Sequence, residues 1–382
     1  MTSNFDIVHN RRSTESAKWR RYEEDILPLW VADMDFRSPQ PVINALIDRA
    51  YHGIFGYPVL LDGLKESVIS WLARRHDWII EPDDITFIPG VVTGFNLAVQ
   101  AYSEPGDGVF FQTPAYGPFF RIAENALLIQ QEMELTKSAN GYYTVDYELF
   151  QQGITDRTRV FILCNPQNPT GRVFTYDELV SMAEICLRNN IIICSDEIHC
   201  DITYSGNKHI PIATLDPDIA NNTITLIAPS KTFNIAGLKS SVVIIQNPDL
   251  REKYLNAKRG LVSNVNLLGL SATLAAYQHG ESWLDELITY LEGNRNYLID
   301  FIQREIPQIK TSIPEGTYLA WLDCRFADLD NKPDQYFLKN ARVALNDGEW
   351  FGKGGEGFVR LNFGCPRATL VEALNRIKSS LR

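Results

Sequence analysis

Between residues 85 and 246 short apolar runs recur: "ITFI", "GVFFQ", "RVFILC", "IIICS", "TITLIA" and "SVVIIQ". Each is apolar at successive positions and so on both faces of a strand, as in a mostly parallel sheet covered from both sides. Several of the gaps carry helical periods. Between "RVFILC" and "IIICS", Thr175 and Glu178 form a capping-box pattern, after which Leu179, Met182 and Cys186 fall on one helical face. The pattern predicts a β-α-β unit there.

A long amphipathic helix is predicted from Trp283 through Leu287, Leu291, Leu298 and Ile302 to Ile306. Beyond it the pattern changes. "GTYLAWLDC" and "GFVRLNFG" alternate or nearly alternate, as half-buried strands do, and "RATLVEALNRIKSSL" closes the chain as a helix. The expected division is an N-terminal segment, 1–45, without helical period and packed on the small domain or a partner subunit; a large α/β domain, 46–280; and a small α+β domain, 281–382. No internal repeat or low-complexity linker interrupts it.

Composition acts mainly by exclusion. A chain of 382 residues, 45% hydrophobic, has material for the cores of roughly two domains. Its net charge of −11 speaks against nucleic acid or an anionic membrane as partner, and the one basic cluster (Arg11, Arg12, Lys18, Arg20, Arg21) is read as a solvated or partner-facing arm. No run approaches ~18 apolar residues, and the first residues lack the apolar core of a signal peptide, so a cytoplasmic location is expected. The six cysteines are scattered without a C-x-x-C pair and are expected to be reduced, with Cys164 and Cys194 buried in strands. The histidines show no ligand spacing, and no metal is expected.

In an open α/β sheet, ligands collect beyond the carboxyl ends of the strands. After "RVFILC" comes "NPQNPTG", presenting Asn165 and Asn168. After "IIICS" comes "DEIH", with Asp196 at the strand end and His199 three residues on. After "TITLIA" comes "PSK", with Lys231. Three consecutive strands thus end in an amide, a carboxylate and an amine. Pyridoxal phosphate needs such a set: an amine for a Schiff base, a carboxylate to keep its ring nitrogen protonated, and a donor to its phenolic oxygen. Lys231, Asp196 and Asn168 can supply these in turn. The backbone at Val92 and Thr93, where a helix starts after a glycine turn, offers donors to the phosphate, and Tyr116 in "TPAYGPF" offers a stacking face.

Taken in order, "NPQNPTGRVFT", "SDEIHCD", "PSKTFNIAGL" and "FVRLNFGCPR" resemble the motifs of the fold-type I pyridoxal-phosphate enzymes. "RRSTESAKW", "LPLWVADMDF" and "FGYP" around Tyr57 resemble the cystathionine β-lyase or C-S lyase branch of that group, the MalY/PatB type. The resemblance spans nearly the whole chain. It implies an aspartate aminotransferase-like α/β fold: a large domain with a mostly parallel seven-stranded sheet flanked by helices, plus a smaller α+β domain. It also implies that Lys231 holds the cofactor, Asp196 pairs with the ring nitrogen, Asn168 reaches the phenolic oxygen, Tyr116 stacks on the ring and Arg360 binds the substrate α-carboxylate. Tyr57 would contact the phosphate held by the neighbouring subunit of a homodimer with shared active sites.

Two positions depart from the aminotransferase relatives: His199 stands where a tyrosine is common, and Lys239 where an arginine is. Ala228, not a serine, lies three residues before Lys231. Ser230, Lys239 and Tyr57 are therefore the candidates for meeting the phosphate charge, and His199 is a candidate hydrogen-bond partner near the cofactor. The implied activity is β-elimination of L-cystathionine, L-cysteine or cysteine S-conjugates to pyruvate, ammonia and a thiol. An aminotransferase is the alternative, since the lysine and aspartate serve both and only the N-terminal and "FGYP" resemblances favour the lyase. A regulatory cofactor-binding protein is a third reading, against which a complete catalytic set argues.

Overall fold

A computed structural model describes residues 3–138, 141–329 and 332–381, and in it the six apolar runs become strands of one sheet. The sheet comprises β1 (Ile85–Ile88), β2 (Gly108–Thr113), β3 (Ile129–Glu134), β4 (Thr158–Cys164), β5 (Ile192–Asp196), β6 (Thr223–Ile227) and β7 (Ser241–Ile244). Its order is β1-β7-β6-β5-β4-β2-β3, with β7 alone antiparallel to its neighbours. The run that the hydrophobic pattern did not mark is β3, "IQQEME". It lies at the sheet edge with only Met133 fully buried, so nothing requires it to be apolar.

Register brings the chemistry together. Asp196, the last residue of β5, pairs with Cys164 on β4 and with Leu226 on β6. The carboxyl ends of three adjacent strands are therefore level, and the segments leaving them emerge side by side. The predicted capping box is present: Thr175 accepts from the Glu178 backbone N–H and starts the helix Tyr176–Arg188 between β4 and β5.

The 25-residue helix Glu281–Glu305 buries Trp283, Leu287, Leu291, Leu298 and Ile302. An antiparallel sheet follows, in the order Lys310–Thr311, Leu319–Asp323, Phe358–Asn362, Asn346–Asp347. Its two central strands differ from the expectation of half-burial, for every residue of both is buried. Leu319, Val359 and Leu361 join the core formed with the helices Glu281–Glu305 and Arg367–Ser380, while Trp321 and Phe358 pack with Phe110 and Tyr143 of the large sheet's side. Polar Arg360 and Asn362 thus face protein rather than bulk water.

The N-terminal segment also differs from its sequence pattern. Ala17–Arg20 forms one helical turn, and the helix Gln40–His52 runs through position 45. Val42 of the latter is fully buried, and Ala45 and Leu46 pack against the core beside it. Leu27–Pro28 pairs in parallel with Val343–Ala344. Of the basic cluster, Arg20 and Arg21 are exposed, but the other three members are not solvated. Lys18 is fully enclosed with its ammonium 2.8 Å from Asp35, Arg11 bridges Asp33 and Asp35, and Arg12 donates to the carbonyls of Trp19 and Ile26. Local carboxylates and carbonyls turn these cations inward, because a buried cation needs such partners. All six cysteines are buried and unpaired with one another. Among the described residues, no helix is long and apolar enough to cross a membrane.

Candidate active site

A cavity of about 870 Å³ opens at the carboxyl edge of the large sheet, against the small antiparallel sheet. It gathers Val92, Thr93, Tyr116, Asn168, Asp196, His199, Ser230, Lys231, Lys239 and Arg360. Tyr57 is not among them. It is fully exposed in a separate groove with Phe55, Pro58 and residues 263–268, so a single chain does not bring it to the site.

Asp196 is 4% exposed. Its carboxylate accepts the Ile198 backbone N–H at 3.2 Å, and no cation among the described residues forms an ion pair with it. Burial pushes its pKa up to about 7. Lys231 sits in the single turn Pro229–Thr232 just after β6 and donates to the Ala32 carbonyl at 2.6 Å. Loss of hydration, then the positive charge of Arg360, brings its pKa down to about 8. The result is an amine reactive near neutrality facing the same cavity as an unpaired carboxylate.

Arg360, in the middle of Phe358–Asn362, is 3% exposed. Its Nη1 donates to Asn168 Oδ1 and its Nη2 to the Trp30 carbonyl, both at 2.9 Å, while among the described residues Nε has no partner and no carboxylate pairs with the group. Burial lowers its pKa to about 10, which still leaves it charged at neutral pH. A desolvated guanidinium with a free N–H and no counter-ion is suited to an incoming carboxylate. Because Asn168 turns Oδ1 to Arg360, its Nδ2 is left to donate elsewhere. Asn165 differs: its Oδ1 accepts the Phe174 N–H at 3.1 Å, and its amide serves the scaffold.

The helix Val91–Tyr102 begins at Gly90, whose φ of 122° suits glycine, and no side chain caps it. The backbone donors at Val92 and Thr93 therefore have no capping side chain, beside a cavity that Ser230 and Lys239 also line. Tyr116 meets Trp350 edge-on with centroids 5.5 Å apart. His199 is buried, lies edge-on to Tyr318 and has no partner at Nδ1. Burial, reinforced by Lys231, keeps it neutral.

Residues that sequence reasoning missed lie in the strap 30–36. Its carbonyls at Trp30 and Ala32 meet Arg360 and Lys231, and the strap is pinned by Asn362 Nδ2, 2.7 Å from the Val31 and Asp33 carbonyls, and by Asn234 Nδ2, 2.9 and 2.7 Å from those of Met34 and Phe36. Backbone acceptors leave no residue-type signal. The motif "LPLWVADMDF" marked the stretch but not its task.

The family described as aminotransferase class I and II matches residues 24–377. The chain belongs to that family. Within the family it is 44% identical to cystathionine beta-lyase PatB of Bacillus subtilis (strain 168), over 99% of this chain and 100% of that one. It is also similar to the PLP-bound C-S lyase from Staphylococcus hominis, at 36% identity and a TM-score of 0.94 over 99% of this chain and 98% of that one. Cystalysin from Treponema denticola, whose structure contains pyridoxal 5'-phosphate, gives 34% identity and a TM-score of 0.96 over 100% of this chain and 99% of that one. Like those structures, this family member has residues that fit the cofactor: a buried carboxylate lacking a cation, an amine near neutrality and an uncapped helix start, all on one cavity.

Arg360→Lys should mainly harm substrate use, because an ammonium cannot make two parallel hydrogen bonds to a carboxylate. A loss of about 1.5–3 kcal/mol in kcat/KM is expected. Unchanged kcat/KM for amino-acid substrates would remove Arg360 from the site.

Proposed function

We propose that this chain is a pyridoxal-phosphate-dependent C-S lyase that cleaves the Cβ–S bond of L-cystathionine, L-cysteine or cysteine S-conjugates, giving a thiol, pyruvate and ammonia. The observation that carries the reading is the meeting of Lys231, Asp196 and Arg360 on one cavity, in a chain that aligns end to end with proteins named as C-S lyases. Bound in that cavity, the cofactor supplies an aldehyde for amines and a protonated ring that withdraws electrons from the substrate Cα. Everything else falls to the protein.

Arg360 takes the substrate α-carboxylate through its guanidinium edge and so orients Cα. Lys231 Nζ, free of a proton above about pH 8, accepts the Cα proton and can pass a proton to the departing sulfur. Asp196 would keep the ring nitrogen protonated, and Asn168 would serve the phenolic oxygen through its amide. The Val92 and Thr93 amides, with Ser230 and Lys239, would hold the phosphate, Tyr116 would support the ring and His199 would offer Nδ1 near it.

Sulfur decides the outcome. A thiol with a pKa of about 8.5 leaves far more readily than hydroxide, so deprotonation at Cα leads to elimination when Cβ carries sulfur. Without such a leaving group the same residues can serve amino transfer, the reading favoured by the family description. Incubation with L-cystathionine separates the two. Pyruvate and free thiol should appear in equal amounts without added keto acid; amino transfer that depends on keto acid, with no thiol, would establish the alternative.

Assembly belongs to the same proposal. Ile54, Phe55, Tyr57 and Val59 form an apolar stretch at least 60% exposed in the single chain. Such a stretch favours a covering partner, and a two-fold homodimer would let Tyr57 complete the other chain's phosphate site. Tyr57→Phe should impair activity, and co-refolding it with Lys231→Ala should restore activity through one heterodimeric site holding both intact residues. No gain over the sum of the parents, with subunit exchange demonstrated, would place Tyr57 outside the neighbour's site. A cytoplasmic location is in keeping with six unpaired thiols.

A further inference from the structure

Next to the Lys231 turn lies a set of buried polar groups that does not line the cofactor cavity and has no part in the chemistry above. Asp201 is 5% exposed, and both its oxygens are occupied: Oδ2 accepts Thr232 Oγ1–H at 2.7 Å, while Oδ1 accepts Trp71 Nε1–H at 3.0 Å and meets His76 Nε2 at 2.8 Å. All three partners are buried. Thr232 is the residue directly after Lys231.

We infer that Asp201 is a positioning residue: through Thr232 it holds the short turn that carries Lys231 at a fixed distance from Asp196. This rests on the reading of Lys231 and Asp196 given under Proposed function.

A single turn cannot hold itself in place. Pro229–Thr232 has no side-chain N-cap, and the backbone bonds that close it are Phe233 N–H to the Pro229 carbonyl and Ile235 N–H to that of Ser230. The turn must therefore be held by tertiary bonds. Asp201 is five residues after Asp196 on the same segment, so one stretch of chain faces the cofactor cavity with its first carboxylate and grips the Lys231 turn with its second. Trp71 and His76 belong to the helix Leu64–His76, which anchors Asp201 to the body of the large domain.

Cys200 Sγ, His76 and Asp201 lie within 4.8 Å of one another, as metal ligands can. The Thr232 hydroxyl and the Trp71 indole N–H already engage both carboxylate oxygens, which favours a structural grip over a cation site. The leading charges acting on Lys231 are those of Arg360, Asp33, Asp196 and Lys239, and Asp201 acts on it through place, by way of Thr232.

The test compares Thr232→Val, which removes only the hydroxyl, with Thr232→Ser, which keeps it. The first readout is the pH midpoint for acylation of Lys231 by acetic anhydride in the cofactor-free full-length chain, followed by peptide mass. The wild type should titrate near pH 8. In Thr232→Val the amine drifts toward water, and the midpoint should rise by at least about half a unit toward the ordinary lysine value. The second readout is the holoenzyme's kinetics on L-cystathionine, where Thr232→Val should lower kcat about tenfold with KM changed less than about twofold. Thr232→Ser should match the wild type in both, and Asp201→Asn should shift both as Thr232→Val does. Identical midpoints and kcat in the two threonine variants, beside a wild type titrating near 8, would overturn the positioning role alone. A wild-type Lys231 titrating as an ordinary lysine would overturn this inference, whereas failure of borohydride reduction to fix the cofactor on Lys231 would overturn the reading of the site.

Discussion

Lys231→Ala is expected to abolish turnover of cysteine-type substrates and the visible absorbance of bound cofactor while leaving cooperative unfolding intact. The residue's hydrogen bond among the described residues runs to the Ala32 carbonyl, and its amine is lodged against its own hydration beside the cationic Arg360. Little fold stability hangs on such a group. Its chemical role is large, since a positioned general base alone contributes roughly 10²–10⁴-fold and the same amine also fastens the cofactor. Activity in Lys231→Ala within about tenfold of wild type, with cofactor still covalently held, would refute the assignment.

Asp196→Ala should weaken cofactor binding roughly 10- to 100-fold, the scale of one charge-assisted hydrogen bond, and should slow Cα deprotonation strongly because Asp196 is the carboxylate that keeps the ring nitrogen charged. A second consequence follows in the cofactor-free protein. Asp196 has its folded pKa raised by burial to about 7, above the unfolded carboxylate value of about 3.9. The folded state therefore binds more protons between those values. The stability linked to this proton is fully present below about pH 3.9 and is lost as pH rises through about 7. Cofactor-free Asp196→Ala lacks that titration, so its stability relative to wild type should increase with pH across the window. A constant difference between the two proteins from pH 4 to 8, together with unchanged cofactor affinity, would make Asp196 an ordinary structural carboxylate.

Much of this arrangement was legible because β4, β5 and β6 are buried on both faces. Their continuous apolar runs end abruptly, and the polar residues at or just beyond their carboxyl ends, Asn168, Asp196 and Lys231 among them, stand out. Legibility failed where burial and polarity part company. The edge strand β3 carries four polar residues in six and was not seen as a strand. The near-alternation of "GFVRLNFG" predicts a half-buried strand, yet its polar side, with Arg360 and Asn362, is buried against the cavity and the strap. Lys18 and Arg11 looked solvated because their partners, Asp33 and Asp35, lie more than a dozen residues away in the chain. The carbonyls of Trp30 and Ala32 could not be read at all, since any residue type supplies one. Tyr57 rests on resemblance, and its place depends on a second chain.

The central claim is that Lys231, among the lysines of this chain, is the one that fastens pyridoxal phosphate at the catalytic cavity. Borohydride reduction of the holoenzyme, followed by proteolysis and peptide mass measurement, tests it most directly. A single pyridoxyl-phosphate adduct on Lys231, prevented by prior reaction with a substrate analogue that displaces the lysine, is the predicted result; an adduct on Lys239 or another lysine with Lys231 unmodified would contradict it.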